Sequence, residues 1–208
     1  MVTPSFEQGR FLGNTINSVL EQEYPHFEYF VQDGGSTDNS LAILRNCKGR
    51  LSGWTSESDK GQAHAINLAF QKTSGDLMAW LNSDDLLLPG TLLYVADYFE
   101  RHPDVSVIYG NRILINEDGL EIGRWILPDH DPEILTWIDY IPQETLFWRR
   151  SAWEAVGGAL DESLHFALDC DCRLRARSLR DCPISWEHFA YTRGRKRQNI
   201  WTLSARAK

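Results

Sequence analysis

The chain has 208 residues, of which 42% are apolar and 24% charged, a composition that excludes a disordered chain. Apolar runs such as residues 77–81 are far shorter than the ~20 residues that a membrane-spanning helix needs. The net charge is −8, and six basic but no acidic residues follow His188. The part of the chain before them therefore holds 15 basic and 29 acidic residues. Such an excess of negative charge repels polyanions and disfavours nucleic-acid binding.

Strand and helix patterns alternate through the first half of the chain. Apolar residues at helical spacing predict helices around residues 12–20, 41–44, 63–70 and 92–99. Apolar and β-branched runs predict strands at residues 2–4, 29–31, 77–81 and 105–109. This alternation predicts an α/β fold, with a mixed, mostly parallel sheet that carries helices on both faces.

The pattern changes after Gly110. Residues 116–119 (NEDG) are typical of a hairpin turn, and further helices are predicted at residues 151–156 and 166–179. The chain shows no secretory signal and has only four cysteines, which together predict a cytoplasmic protein. The basic tail at residues 188–208 is either a solvated, frayed end or a contact with anionic lipid headgroups on the inner face of the membrane.

Polar motifs follow two of the predicted strands, where open α/β sheets bind their ligands. Residues 33–38 (DGGSTD) combine glycines for a tight turn with a helix start that favours an anion, and Asp33 could accept a hydrogen bond from a nucleobase or a ribose. Taken alone, this segment is better explained as an ordinary loop between a strand and a well-capped helix.

Two neighbouring carboxylates, Asp84 and Asp85, follow the apolar strand at residues 77–81. They repel each other unless a cation or protons compensate, and oxygen ligands of this kind suit Mg²⁺ or Mn²⁺. The alternative is that one of them caps the helix that follows Pro89. Lys60, just before the third helix, could neutralise phosphate charge, or it is an exposed surface lysine.

The motifs at residues 33–38, 59–61 and 83–85 occur in order within about fifty residues, and this arrangement resembles the family 2 glycosyltransferases, which have the GT-A (Rossmann-like) nucleotide-diphospho-sugar transferase fold. The likeness extends to residues 2–5, 8–12, 24–25, 33–40, 61–63, 65–67, 75–76, 80–85, 109–110, 141–143, 147–150, 157–158, 160–165 and 167–169. It implies one domain over residues 1–187, with a nucleotide-binding half (1–110) and an acceptor half (111–187), followed by the basic tail.

The resemblance also implies roles for single residues. Pro4 and Asp33 are expected to contact the nucleobase, with Ser36 and Asp38 nearby in the same loop. Lys60 is expected near the diphosphate, where the family usually has an arginine. Asp84 is expected to face the ribose and the donor sugar, and Asp85, with Asp84 beside it, to hold Mg²⁺ or Mn²⁺. The general base is expected at Asp169, with Asp171 as the alternative.

These roles imply a metal-dependent, inverting glycosyltransferase that uses a UDP- or dTDP-sugar and a saccharide or lipid-linked acceptor in cell-surface polysaccharide or glycoconjugate synthesis. A catalytically silent sugar-nucleotide binding domain is the alternative, favoured by the few residues in the first strand, by Asn82 where the family has an acid, and by Cys170 and Cys172. A nucleotidyltransferase ranks lower, because residues 5–10 lack the Gly-rich, basic phosphate loop that attack on a triphosphate requires.

Overall fold

The structure is a computed structural model that describes residues 1–127, 131, 133–134, 137–138 and 140–164, together with the backbone of residues 188–193. The helices are α1 (Leu12–Leu20), α2 (Ser40–Asn46), α3 (Gln62–Phe70), α4 (Thr91–Arg101) and α5 (Arg150–Ala155). The strands are β1 (Val2–Ser5), β2 (Phe30–Asp33), β3 (Gly53–Ser56), β4 (Leu77–Met78), β5 (Leu86–Leu87), β6 (Val107–Ile108), β7 (Asn111–Ile115), β8 (Glu121–Trp125), β9 (Phe147–Arg149) and β10 (His188–Arg193). The predicted helix at 166–179 and the candidate bases Asp169 and Asp171 lie outside these residues.

The centre of the molecule is a parallel sheet. β2 pairs in parallel with β1 on one side and with β3 on the other. The other edge of β1 is hydrogen-bonded to the segment after β4. The Val2 N–H donates to Ala79 O at 3.0 Å, and the Leu81 N–H donates to Val2 O at 2.9 Å. β1 is therefore an interior strand, although it has only four residues. Antiparallel pairing of β4 and β6 with β9 completes a mixed arrangement.

Helices cover both faces of this sheet, as the alternating pattern predicts. On one face α1, α2 and α4 bury Leu12, Ile16, Leu44 and Phe99 against Val31 and Leu81. On the other face α3 and α5 pack around an aromatic group of Phe70, Trp80, Trp148 and Trp153, whose ring centroids lie 5.4 to 6.5 Å apart. Residues 78–81 are buried from both sides, which explains their continuous apolar sequence.

A second sheet, of four strands, has the strand order β5, β10, β7, β8. β7 and β8 form the predicted hairpin, and the Asn116 side chain accepts hydrogen bonds from the Asp118 and Leu120 amides to close its turn. β10 begins at His188, the first residue of the predicted basic tail, so its backbone belongs to this sheet. Within the ranges given above, no helix combines the length and apolar character needed to cross a membrane.

Two helices lie close to their predicted segments. α2 includes the predicted residues 41–44 and begins at Ser40, whose N–H donates to the Asp38 carboxylate at 2.8 Å. α3 ends at Phe70, where the predicted segment ends, and the Thr73 hydroxyl donates to Phe70 O at 3.0 Å.

Candidate active site

Three loops meet at the carboxyl edge of the parallel strands. They are residues 6–9 after β1, 34–38 after β2 and 57–61 after β3, and together they are called the three-loop cluster below. Backbone bonds join them to the strands beside them: the Gly34 N–H donates to Ser5 O at 2.8 Å, and the Glu57 N–H to Asp33 O at 3.0 Å. This is the edge at which an open α/β sheet binds its ligand.

Asp33 lies inside the three-loop cluster rather than on its surface, with 0% of its area exposed. Its Oδ1 accepts the Ser36 hydroxyl at 2.6 Å, and its Oδ2 accepts the Ser56 hydroxyl at 2.7 Å and the Gly35 and Ser36 amides at 3.2 and 2.9 Å. These bonds satisfy the carboxylate internally and shape the loop after β2. Pro4 is also buried, one strand away, in register with Gln32.

Ser36 and Asp38 tie the second loop to the first. The Ser36 hydroxyl accepts the Glu7 N–H at 2.8 Å, and Asp38 accepts the Gly9 N–H at 2.7 Å. The slight burial of Asp38 raises the pKa of its carboxyl, but hydrogen bonds from Ser40 and Gly9 outweigh that effect and hold the pKa below its usual value. Glu7 has a left-handed φ of 53°, and its carboxylate accepts the Thr37 amide and hydroxyl at 2.7 and 3.0 Å. A strained residue held by this many partners is typical of a preorganised ligand site.

Phe6 is a candidate site residue that the motifs of the sequence did not indicate. Its side chain is 62% exposed, although it sits beside the buried Asp33 loop. An aromatic ring presented to solvent at the end of β1 can stack on a nucleobase. The signal available in the sequence was an aromatic residue just after the predicted first strand, where the loop should be polar.

Lys60 lies in the third loop and is exposed, and its N–H donates to His64 Nδ1 at 3.2 Å.

Residues 82–85, called the acidic turn below, follow the buried segment 78–81 and carry the two neighbouring carboxylates. Asp85 is 5% exposed and Asp84 is half-buried. Asn82 joins this turn to its surroundings: its Oδ1 accepts from Gln62 Nε2 at 2.8 Å, and its Nδ2 lies 3.2 Å from Gln143 Oε1 and 3.4 Å from Asp85 Oδ2. Asn82, in the place of an acid, therefore donates to Asp85 instead of repelling it.

Polar side chains on helix α1 and just after it hydrogen-bond to the acidic turn and to the residues that follow it. The buried Thr15 hydroxyl lies 2.8 Å from both Ser83 O and Asp85 O. One turn further along, Ser18 accepts the Leu87 N–H at 3.0 Å, and Gln22, two residues beyond the end of α1, donates from Nε2 to Leu88 O at 2.9 Å. The sequence signal was available, since Thr15 and Ser18 place two polar side chains three residues apart on an otherwise apolar helix face.

The donor set of the acidic turn fits a divalent cation. Among the residues that the structure describes, no group of three or more His, Cys, Asp or Glu side chains gathers at one point. Mg²⁺ commonly takes only one or two protein carboxylates, with water and substrate phosphate oxygens in its other positions. Asp85, with Asp84 beside it, supplies that set at the edge where the three-loop cluster would hold a nucleotide. Asp169 and Asp171 lie outside the described residues.

The comparison with protein families matches the model described as Glycosyl transferase family 2 to residues 1–159. A similar curated protein is the Escherichia coli UDP-Glc:alpha-D-GlcNAc-diphosphoundecaprenol beta-1,3-glucosyltransferase WfgD, which is 31% identical over 129 residues. That match covers 62% of this chain and 50% of WfgD. The chain thus spans about half the length of this relative.

Solved structures share the fold. The chain superposes on Staphylococcus aureus TarS in complex with UDP-GlcNAc with a TM-score of 0.79 and 19% identity, covering 95% of this chain and 58% of TarS. It also superposes on the Pyrobaculum calidifontis mannosyltransferase PcManGT in complex with GDP-Man and Mn²⁺, with a TM-score of 0.66 and 16% identity, covering 96% of this chain and 57% of PcManGT. These matches confirm the predicted GT-A fold.

Proposed function

The chain belongs to glycosyl transferase family 2, and we propose that it transfers a sugar from a nucleoside diphosphate sugar to an acceptor hydroxyl group. The observation that carries the proposal is the convergence of the three-loop cluster and the acidic turn at one edge of the sheet. The cluster offers loops that hydrogen bonds hold together and an exposed aromatic ring, Phe6. The turn offers carboxylates at the point where a diphosphate would follow the nucleoside.

The proposed donor is a UDP- or dTDP-sugar, and the proposed acceptor is a saccharide or a lipid-linked saccharide. The name of WfgD states a UDP-glucose donor and a diphosphoundecaprenol-linked acceptor, and TarS was solved with UDP-GlcNAc. These names support the same classes of substrate for this chain. Synthesis of cell-surface polysaccharide or glycoconjugate is the process in which such a donor and acceptor meet.

Asp85, with Asp84 beside it, would hold Mg²⁺ or Mn²⁺ together with the diphosphate oxygens. When bound, the cation neutralises the negative charge that develops on the leaving diphosphate. The buried Thr15 and the amides of Asn82 and Gln143 keep the backbone and side chains of the acidic turn in position. Lys60, on the neighbouring loop, would add positive charge near the diphosphate.

The proposed chemistry is a single displacement with inversion. The acceptor oxygen bonds to the anomeric carbon while the bond from that carbon to the diphosphate oxygen breaks, and the acceptor's proton passes to a carboxylate. Asp169 is the proposed general base, with Asp171 as the alternative. One base on the face opposite the leaving group produces inversion, because no covalent sugar intermediate forms.

Calorimetry and donor turnover test this proposal together. UDP should bind in the presence of Mn²⁺ and lose most of its affinity after EDTA. Asp169→Asn should leave UDP binding unchanged and lower the turnover by ~10²-fold, because only proton transfer is removed. Asp171→Asn is the matched comparison. A loss of turnover in Asp171→Asn but not in Asp169→Asn would identify Asp171 as the general base.

Two results would contradict the proposal. An affinity for UDP that does not change after EDTA is added would show that the binding site does not require a metal. Tight UDP binding without any turnover of UDP- or dTDP-sugars would favour the catalytically silent binding domain.

A further inference from the structure

A short turn joins the acidic turn to the hairpin of β7 and β8. This turn, called the bridging turn below, is a 3₁₀ helix at Gln143–Thr145, and its side chains are almost wholly buried. Side chains of successive residues in a 3₁₀ helix point about a third of a turn apart. Gln143 and Glu144 therefore face different neighbours, one on the acidic turn and one on the hairpin.

Gln143 sets the orientation of the amide beside Asp85. Its Nε2 donates to Trp80 O at 2.8 Å, and because a backbone carbonyl can only accept, Gln143 Oε1 is the atom left for Asn82. Asn82 then turns its NH₂ group to Gln143 Oε1 at 3.2 Å and to Asp85 Oδ2 at 3.4 Å. A rotation of Gln143 would therefore change which group of Asn82 the Asp85 carboxylate meets.

Glu144 attaches the other side of the bridging turn to the hairpin. Its Oε1 accepts from Arg112 Nη1 at 3.1 Å, and only 5% of the Glu144 side chain and 20% of the Arg112 side chain are exposed. The Arg112 guanidinium also lies over the Trp125 ring, with Cζ 4.4 Å from the ring centroid. Its Nε is buried and has no hydrogen-bond partner among the residues that the structure describes. The bond to Glu144 and the contact with the ring therefore orient the guanidinium.

We propose that Glu144 is a positioning residue of the donor site. The ion pair with Arg112 holds the bridging turn in one orientation, and the bridging turn keeps the Asn82 amide directed at Asp85. A buried pair suits this task, because removal of one partner leaves an uncompensated buried charge and the pair is therefore hard to break. This inference rests on the proposed function, since that function assigns Asp85 to the cation. It couples the hairpin to the metal site.

Calorimetric titration of Mn²⁺ in the presence of UDP measures this positioning, and urea unfolding of the same proteins measures their stability. Gln143→Met keeps the length of the side chain but removes its amide. It should weaken Mn²⁺ binding about tenfold to a hundredfold, the usual effect of losing a hydrogen bond that orients a metal ligand. Glu144→Gln should weaken Mn²⁺ binding about threefold or more, and it should add little to the loss in Gln143→Met, because Glu144 acts through Gln143.

A second variant keeps the test decisive if Glu144→Gln does not fold. Arg112→Met combined with Glu144→Leu removes both charges at similar volume, so its stability in urea should stay close to that of the unmodified protein. Its Mn²⁺ affinity should still fall about threefold or more, since two apolar side chains make no directional bond. A role confined to stability would instead leave the Mn²⁺ affinity of this variant unchanged.

The matched control is Glu121→Gln, which breaks an exposed pair with Arg124 on the same hairpin, where 44% and 55% of the two side chains are exposed. It should leave Mn²⁺ affinity unchanged. Losses that add in full when Glu144→Gln is combined with Gln143→Met, or an unaltered Mn²⁺ affinity in the double apolar variant, would overturn the assignment. Failure of the unmodified protein to bind UDP and Mn²⁺ would instead count against the proposed function.

Discussion

The three-loop cluster and the acidic turn lie at the same edge of the sheet, but they are held in place by different means. The loops of the cluster bond to one another through side chains of their own, such as Glu7 to Thr37 and Asp38 to Gly9. These bonds are mostly exposed. The acidic turn is held from outside, by the buried Thr15 of α1 and by Gln62 and Gln143 through Asn82.

This difference determines how each region should respond to mutation. Water can replace a lost partner in an exposed network, so a change in the three-loop cluster should alter ligand binding more than stability. A buried carbonyl that loses its donor has no such replacement, so a change below the acidic turn should lower both stability and metal binding. The predictions that follow test this contrast.

The largest effect is expected from Asp85→Ala. Removal of this carboxylate should lower sugar transfer or donor hydrolysis by about 10³-fold or more, because metal stabilisation of a leaving diphosphate contributes several kcal/mol. Calorimetry should show that UDP binding no longer responds to Mn²⁺. Asp104→Asn, at an exposed position after α4, is the control and should behave as the unmodified protein does. A turnover within tenfold of that of the control would show that Asp85 does not hold the metal.

Thr15→Val tests the support of the acidic turn. The substitution keeps the shape of the side chain but leaves Ser83 O and Asp85 O without their buried donor. Urea unfolding should show a loss of about 1–3 kcal/mol, and Mn²⁺ should bind several-fold more weakly in the presence of UDP. Thr15→Ser restores the hydroxyl and should recover most of the metal affinity.

The same substitution in the three-loop cluster provides the comparison. Thr37→Val removes an exposed hydroxyl that donates to Glu7 at 3.0 Å, and its effect on the free energy of unfolding should stay within about 0.5 kcal/mol. Equal losses for Thr15→Val and Thr37→Val would show that burial does not separate the two regions.

Most of the fold could be predicted from the sequence, because periodicity reports burial. The apolar spacing in α1 and the continuous apolar run at residues 77–81 each correspond to an observed environment, one face of a helix and a strand segment covered on both faces. The exact helix ends were less predictable, because they depend on which polar group reaches a free N–H. At α2 the Asp38 carboxylate accepts the Ser40 N–H.

The candidate site was only partly predictable. Motifs indicated the segments 33–38 and 82–85, since strand ends and glycines are local features. Their spatial partners are distant in sequence: Thr15 contacts a residue 70 positions away, and Phe6 and Asp59 both lie beside Gly34 only because three loops meet there. No local pattern reports that the Asp33 carboxylate is already hydrogen-bonded by Gly35, Ser36 and Ser56.

The last prediction concerns pH and the exposed hydrogen bonds of the three-loop cluster. Hydrogen bonds from Ser40 and Gly9 outweigh the slight burial of Asp38 and hold its pKa below the ordinary 3.8, so the folded state gains stability from the ionised form. This stability is fully present above pH 3.8 and is lost as the pH falls through the lowered pKa. Asp38→Asn should therefore lower the free energy of unfolding by less than about 1 kcal/mol at pH 7, since the group is exposed, and by progressively less below pH 3.8.

Urea unfolding of Asp38→Asn and the unmodified protein across this range measures the difference. Glu28 also has a lowered pKa, because Ser74 and Gly75 donate to it, but both proteins share that contribution and it cancels in the comparison. A difference in stability that stays constant down to pH 3 would show that the bonds of Asp38 do not depend on its charge. The cluster would then be held by the shape of its loops, and the contrast with the acidic turn would rest on burial alone.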